Sequence, residues 1–295
     1  MKDIQAIPLA DARYPALLAQ TAHPPKWLYV KGSSSVLAQP AIAIVGTRKA
    51  SPQALQLAGH IAHDLAKAGL VIISGLAQGI DGAAHQGALE ARGKTIAVLG
   101  SSLEERLLFP SQHKRLAQDI LASGGALISE HEKDQPALKH HFVLRNRIIA
   151  GLALGVLVAQ APLKSGALIT ADYAKKAQRL VFGVPDSPFV TNAKGSNDLI
   201  AKGALLVQSG EDILGVLLKQ NLFVPQRTNE PDATLAGADS EEELMLVQVL
   251  RDGLCDIDKL SQRTKVEIPK LLSLLATLEI KGVVKSIGGA YILSE

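Results

Sequence analysis

The sequence predicts an α/β fold, an open and mainly parallel sheet with helices on both faces, followed by a smaller C-terminal domain. Three observations carry this. Short apolar runs alternate with helical periods from about residue 40 to about 215. Each polar or glycine-rich cluster falls just after one of these runs and just before a helical period. A stretch rich in Pro, Asn, Asp and Gly, NLFVPQRTNEPDATLAGADS, then separates this region from three short amphipathic periods. With 295 residues, 47% of them hydrophobic, the chain is long enough to bury a full-sized core beside the smaller attachments.

Taken in order, residues 1–38 form a small N-terminal segment whose RYPALL and HPPKWLYVKG read as a helical cap and a strand. The main domain spans 39–220. AIAIVG (41–46) is a buried strand with a helix over 52–68, LVIISG (70–75) is followed by a helix over 80–91, and TIAVLG (95–100) by one near 112–122. GALISE (125–130), GVLVAQA (155–161) and RLVFGVP (179–185) are further strands, with helices near 146–153 and 167–177 and a last short strand at ALLVQS (204–209). Residues 221–240 read as a linker. In 241–295 three helical periods precede two strands around Gly288-Gly289, a winged-helix pattern.

Composition removes several classes of function. A single cysteine, Cys255, excludes an internal disulfide framework and a cysteine-built zinc cage. The opening MKDIQAIPLADARYP has no apolar h-region, and the uncharged run from Ile148 to Leu163 is too short to span a bilayer. A cytoplasmic protein with no membrane partner is expected. Charge is unevenly spread: residues 139–202 hold nine Lys/Arg against three Asp, a balance of +6 against +3 for the whole chain, whereas 240–295 hold seven bases against nine acids. The first window attracts polyanions unless it is merely a solvated face; the tail does not.

The polar clusters VGTR, SGLAQGIDG and KSGALIT all occupy strand-to-helix loops, and in an open parallel sheet such loops share the edge where ligands bind. Gly46, Thr47 and Arg48, then Ser74 and Gly75, then Lys164, Ser165 and Gly166 are therefore brought to one edge. Glycines there permit close backbone approach, and helix N-termini offer unpaired N–H groups to an anion such as phosphate. Glycine at one such junction also serves packing alone; three loops at one edge favour a ligand. Neither G-x-G-x-x-G nor G-x-x-x-x-G-K-[ST] is present, which argues against a dinucleotide or a hydrolysed nucleoside triphosphate.

KHHFVLRNRIIAG (139–151) is the other informative segment. Asn146 is placed to cap a short helix, with Arg145 and Arg147 projecting in different directions, and the side chains of Arg48 and Arg145 need not be core. Phe142, beside Lys139 and the two arginines, suits a base-stacking platform on a single strand, against an ordinary core role. Asp81 and His85, at i and i+4, form a structural pair beneath the glycine loop rather than a catalytic dyad. Ser74, Ser129 and Ser165 all lack a G-x-S-x-G elbow, and the scattered histidines, His140-His141 included, lack metal-ligand spacing.

The succession IVGTR, SGLAQGIDGAAHQGAL, TIAVLG, LISE, FVLRNRIIAGL, SGALITADYA, VFGVP and GSNDLIAKGA resembles the DNA-processing protein A family, also called Smf, over about residues 40–210. The flanking N-terminal segment and the winged-helix end match the family's organisation. The resemblance implies an extended Rossmann-like domain that binds single-stranded DNA without catalysis or cofactor. It also implies protection of incoming strands during natural transformation, loading of the RecA recombinase, and a homodimer. Carried over by motif, Arg48, Arg145 and Arg147 fall in the pocket, with Lys139 and Phe142 just before it and Lys164 ahead of SGALIT. Two departures alter detail: SSLEERLLFP (101–110) replaces the family's glycine and Tyr-Pro in a loop bordering the pocket, and Val184-Pro185-Asp186 replaces its VPG. The alternative from another class is a Rossmann-like nucleotide phosphoribohydrolase. It requires a P-G-G-x-G-T-x-x-E stretch with a catalytic glutamate, for which VPDSPFVTNAKGSNDLI has no equivalent. A transcription regulator acting through the winged helix is disfavoured by that domain's net negative charge.

Overall fold

A computed structural model describes residues 4–136, 138–224, 240–250 and 255–294. The chain divides into two compact units, residues 1–210 and 211–295. In the first, strands β1 (Ile4–Pro8), β2 (Trp27–Gly32), β3 (Ala41–Val45), β4 (Val71–Ser74), β5 (Thr95–Val98), β6 (Ala126–Ser129), β7 (Gly155–Val158), β8 (Leu180–Gly183) and β9 (Leu205–Leu206) make one sheet. Its order is β1-β2-β6-β5-β4-β3-β7-β8-β9. From β6 to β9 every pairing is parallel, and β3 through β7 are buried along their whole length. Unbroken apolar strands such as AIAIV and VIIS are what a sheet covered on both faces requires.

The covering helices are α1 (Ala16–Ala19), α2 (Pro52–Lys67), α3 (Ile80–Glu90), α4 (Lys114–Ala122), α5 (Lys139–Leu152), α6 (Gly166–Lys176) and α7 (Lys194–Ala201). Ser51 caps α2 by accepting from the Ala54 amide at 3.2 Å, and Pro52 pre-sets its first turn. Helices α2 and α3 touch through glycine: a Cβ on Gly87 would lie 2.1 Å from the Gly59 carbonyl oxygen.

Several elements differ from the sequence reading. Residues before 39 supply two strands, not one, and these are an integral edge of the main sheet: β2 runs antiparallel to β6, pairing Val30 with Ile128, and β1 pairs with β2. Helix α5 starts at Lys139 rather than 146, with Leu138 at its N-cap and no side-chain cap, so a propensity reading keyed to Asn146 begins two turns late. Helix α7 and a helix α8 (Gly210–Lys219) add to the expected elements.

The second unit is a winged helix. Helices α9 (Glu241–Leu250), α10 (Ile257–Thr264) and α11 (Ile268–Ile280) pack through Leu246, Leu250, Leu260, Leu271, Leu275 and Leu278. Strands β10 (Cys255–Asp256), β11 (Val284–Ile287) and β12 (Ala290–Leu293) form a sheet in the order β10-β12-β11. Gly288 at φ +60° and Gly289 at φ +88° make the two-residue turn between β11 and β12, a conformation side chains with a Cβ rarely adopt. Most of the expected linker, residues 225–239, lies outside the described residues.

Candidate nucleic-acid interface

After β3 the chain builds the sheet towards β6, and with β7 it returns to the other side of β3. The crevice at such a reversal is where open α/β sheets bind ligands, and Arg48 stands in the loop that leaves β3. Its exposed guanidinium lies over the Phe142 ring, 5.7 Å from the centroid. Phe142 in turn meets Phe109 with centroids 5.6 Å apart and planes tilted by 55°. Beneath them is a cavity of about 220 Å³ lined by Arg48, Gly75, Ala77, Gln78, Phe109, Pro110, Ser111, Gln112, Phe142 and Arg145.

Arg145 lines this cavity but is only 5% exposed, which corrects the expectation that its side chain lies outside the core. Its Nη1 donates to the Val98 carbonyl, and the guanidinium lies on the backbone of Gly75, where a Cβ would be 2.1 Å from Nη1. Glycine at 75 is therefore a steric requirement of the buried arginine. Burial draws the Arg145 guanidinium down to about 10, opposed by the charge of Asp81. Burial likewise pushes Asp81 up against the pull of Arg145. Both groups resist charge for want of water, and each is the other's compensation.

Asp81 is not a free acid. Its Oδ2 accepts from the amides of Gly75 at 3.0 Å and Ala77 at 3.4 Å, holding a loop that turns through Leu76 at φ +58°. His113 Nδ1 donates to the Leu76 carbonyl at 2.8 Å and closes the same turn. His85 does not pair with Asp81, as its i+4 position had implied. The Thr95 hydroxyl donates to the Ile72 carbonyl at 2.6 Å, so His85 Nδ1 must donate to Thr95 Oγ1 at 2.7 Å. Fully buried, the imidazole is pushed down to about 3 and is neutral at physiological pH.

The other sequence-derived site residues separate into groups. Gly46 packs on Ile80, whose Cγ1 would lie 2.4 Å from an added Cβ. Thr47 shapes the same loop: its amide donates to the Gln160 carbonyl at 2.8 Å and its carbonyl accepts from the Ile80 amide at 3.4 Å. Ser74 is wholly buried, and its hydroxyl donates to the Ile44 carbonyl at 2.6 Å, so it faces the sheet rather than the cavity. Asn146 is no cap; it lies mid-helix and its Nδ2 donates to the Gly166 carbonyl at 3.1 Å, joining α5 to the start of α6. Arg147 is committed to Glu130 at 2.5 Å, with both side chains under a fifth exposed. Ser165 caps α6 by accepting from the Ala167 amide at 3.2 Å. Lys139 and Lys164 are exposed and lie outside the cavity lining.

The cavity thus unites Arg48, Gly75, Phe142 and Arg145 from the sequence reading and adds residues it did not name, chiefly Phe109 and its neighbours up to Gln112. The signal for these was the apolar Leu107-Leu108-Phe109-Pro110 stretch in the loop that departs from the family pattern.

A protein-family model described as DNA recombination-mediator protein A matches residues 5–217. The chain belongs to the DNA recombination-mediator protein A family. A second model, the DprA winged helix domain, matches residues 229–290. Protein Smf of Escherichia coli is 36% identical over 290 residues, covering 97% of this chain and 76% of that one. The X-ray structure of DNA processing protein A from Streptococcus pneumoniae matches with a TM-score of 0.67 at 40% identity, covering 72% of this chain and 74% of its own. A Helicobacter pylori DNA processing protein A, described for its single-stranded DNA binding mode, matches with a TM-score of 0.65 at 34% identity, over 75% of this chain and 99% of its own. Among the described residues no helix is long and apolar enough to cross a membrane.

Proposed function

We propose that this member of the family binds single-stranded DNA at the cavity between Arg48 and Phe142, without turnover or cofactor. We propose further that, as a homodimer, it protects the bound strand and loads a RecA recombinase onto it during uptake of DNA. The observation that carries the reading is the stack of the Arg48 guanidinium on Phe142 beside Phe109. It joins a phosphate-binding cation to aromatic faces on which any base stacks. Buried Arg145 supplies a second positive charge at the cavity, and the Helicobacter pylori relative of similar fold was described for this class of ligand. Binding rather than hydrolysis is favoured by Asp81, whose carboxylate is already occupied by two backbone amides.

Titration of labelled oligo-dT and of a matching duplex against salt tests the binding. Affinity for oligo-dT should fall steeply as salt rises and should exceed affinity for duplex. A flat salt response, or no binding at low salt, overturns the reading. Release of free base from a nucleoside monophosphate, abolished by Asp81→Asn, would establish the enzymatic alternative. Stimulation of RecA filament growth on coated single strands tests the loading step.

A further inference from the structure

Among the described residues no large apolar side chain is more exposed than Phe189, at 93%. It stands on the loop between β8 and α7, and that loop is braced. Asp186 accepts from Gln160 Nε2 at 3.0 Å and from the Ser187 amide at 2.7 Å, and Asn197 Nδ2 donates to the Asp186 carbonyl at 2.8 Å. Asn192 Nδ2 donates to the Lys49 carbonyl at 2.7 Å, which fastens the loop to the residue following Arg48. A ring held out to water by an anchored loop is positioned for a partner.

Its surroundings identify the partner's chemistry. In the sheet β8 lies two places from β3, about 10 Å at ordinary strand spacing, with β7 between them. The amides of Gly195 and Ser196 donate to the Ala161 carbonyl, which seats Lys194 against the loop carrying Lys164. Lys49, Lys164 and Lys194 are all exposed, and none forms an ion pair among the described residues. Asp186 is the only acid between Asp172 and Asp198, and its two oxygens are engaged by the Ser187 amide within the loop and by Gln160 from the segment after β7. The patch is thus an aromatic ring among unpaired cations, continuous with Arg48 along one sheet edge.

We propose that Phe189 is a second base-stacking platform, receiving the strand that leaves the Arg48 side of the cavity while Lys49, Lys164 and Lys194 meet its phosphates. This rests on the single-stranded DNA reading of the cavity. The two are separated by oligonucleotide length. Binding of labelled oligo-dT of about 4 and about 20 nucleotides to the full chain is followed by anisotropy, the shorter filling the cavity alone. Phe189→Ala should weaken the longer oligonucleotide about 5- to 100-fold and leave the shorter unchanged, whereas Arg48→Ala should weaken both. Phe189→Trp should retain affinity and add fluorescence quenched by DNA beyond that of Trp27, the only native tryptophan. Unchanged binding of both lengths by Phe189→Ala, with Arg48→Ala impaired, overturns the platform and leaves the cavity assignment standing. A change in the sedimentation of the free protein on Phe189→Ala, without loss of DNA affinity, overturns it in favour of a contact between copies of the chain. No binding of either length by the unaltered protein removes the cavity reading and the platform with it.

Discussion

The sheet edge around Arg48 and the winged-helix unit are built from similar residue types but commit their cations differently, although Lys265 and Lys285 of the winged unit are exposed and form no ion pair among the described residues. In the winged unit Lys259 pairs with Asp256 at 3.4 Å, Lys270 with Glu242 at 2.5 Å and Lys281 with Glu243 at 2.9 Å. At the sheet edge Arg48, Lys49, Lys164 and Lys194 are exposed and face no carboxylate partner among the described residues. A lysine neutralised by its own chain has little left to offer a phosphate. What would suit a surface to nucleic acid is the presence of unpaired cations in the company of aromatic rings, rather than the number of cations alone. Within α5 the two arginines are both engaged by the chain, Arg147 with Glu130 and Arg145 with Val98 beside Asp81, but of the two only Arg145 lines the cavity.

The largest effect expected from probing this contrast is that of Arg145→Ala. Loss of its bond to Val98, with Asp81 left uncompensated, should cost about 2–3 kcal/mol of stability in urea melts and also weaken oligo-dT binding. Lys270→Ala in the winged unit should cost under about 0.5 kcal/mol. A fully stable Arg145→Ala protein would mean the guanidinium is not part of the core. Acid should next separate the units. All eight histidines precede residue 142, and the winged unit has none. His85 titrates at about 3 when folded and near 6.5 when unfolded, so its contribution is complete above 6.5 and is lost as pH falls towards 3. Lowering the pH from 6.5 to 5 should cost the sheet unit about 2 kcal/mol, followed by Trp27 fluorescence, and His85→Asn should flatten that slope. An equal acid slope in the two units would refute the assignment. Arg48→Ala should reduce oligo-dT affinity by about 1–2 kcal/mol with no change in melting, since the side chain is exposed. Smallest of all, removing residues 240–295 should alter oligo-dT affinity by less than about 0.5 kcal/mol, as a slight gain that fades with salt. Loss of binding in that truncated yet folded protein would transfer the DNA site to the winged helix.

Legibility in the sequence followed the range of the interactions. The parallel strands were readable because AIAIV, VIIS and GVLV announce two-sided burial locally, and Gly288-Gly289 announces the wing turn. The edge made by β1 and β2 was not, since its position depends on pairing with β6 about a hundred residues away. At the site, Arg48 and Phe142 were found from charge and motif. Arg145 was misjudged because a guanidinium reads as surface unless its distant acceptor, Val98, is known. Phe109 was overlooked because it lies in a loop whose departure from the family pattern was visible but whose place over Phe142 was not.

The pairing of β2 with β6 also sets a schedule for making the protein. Once translated, β1 and β2 can pair with each other, but the outer hydrogen-bonding edge of β2 has no partner until Ala126–Ser129 have been translated. At about 5–20 residues per second that interval is on the order of 5–20 s. Throughout it the nascent chain displays Leu28 and Val30, side chains that the finished protein conceals completely. Newly synthesised chains are thus open to chaperone capture or mispairing at the edge of β2, and a stall in translation between residues 32 and 126 would prolong that vulnerability.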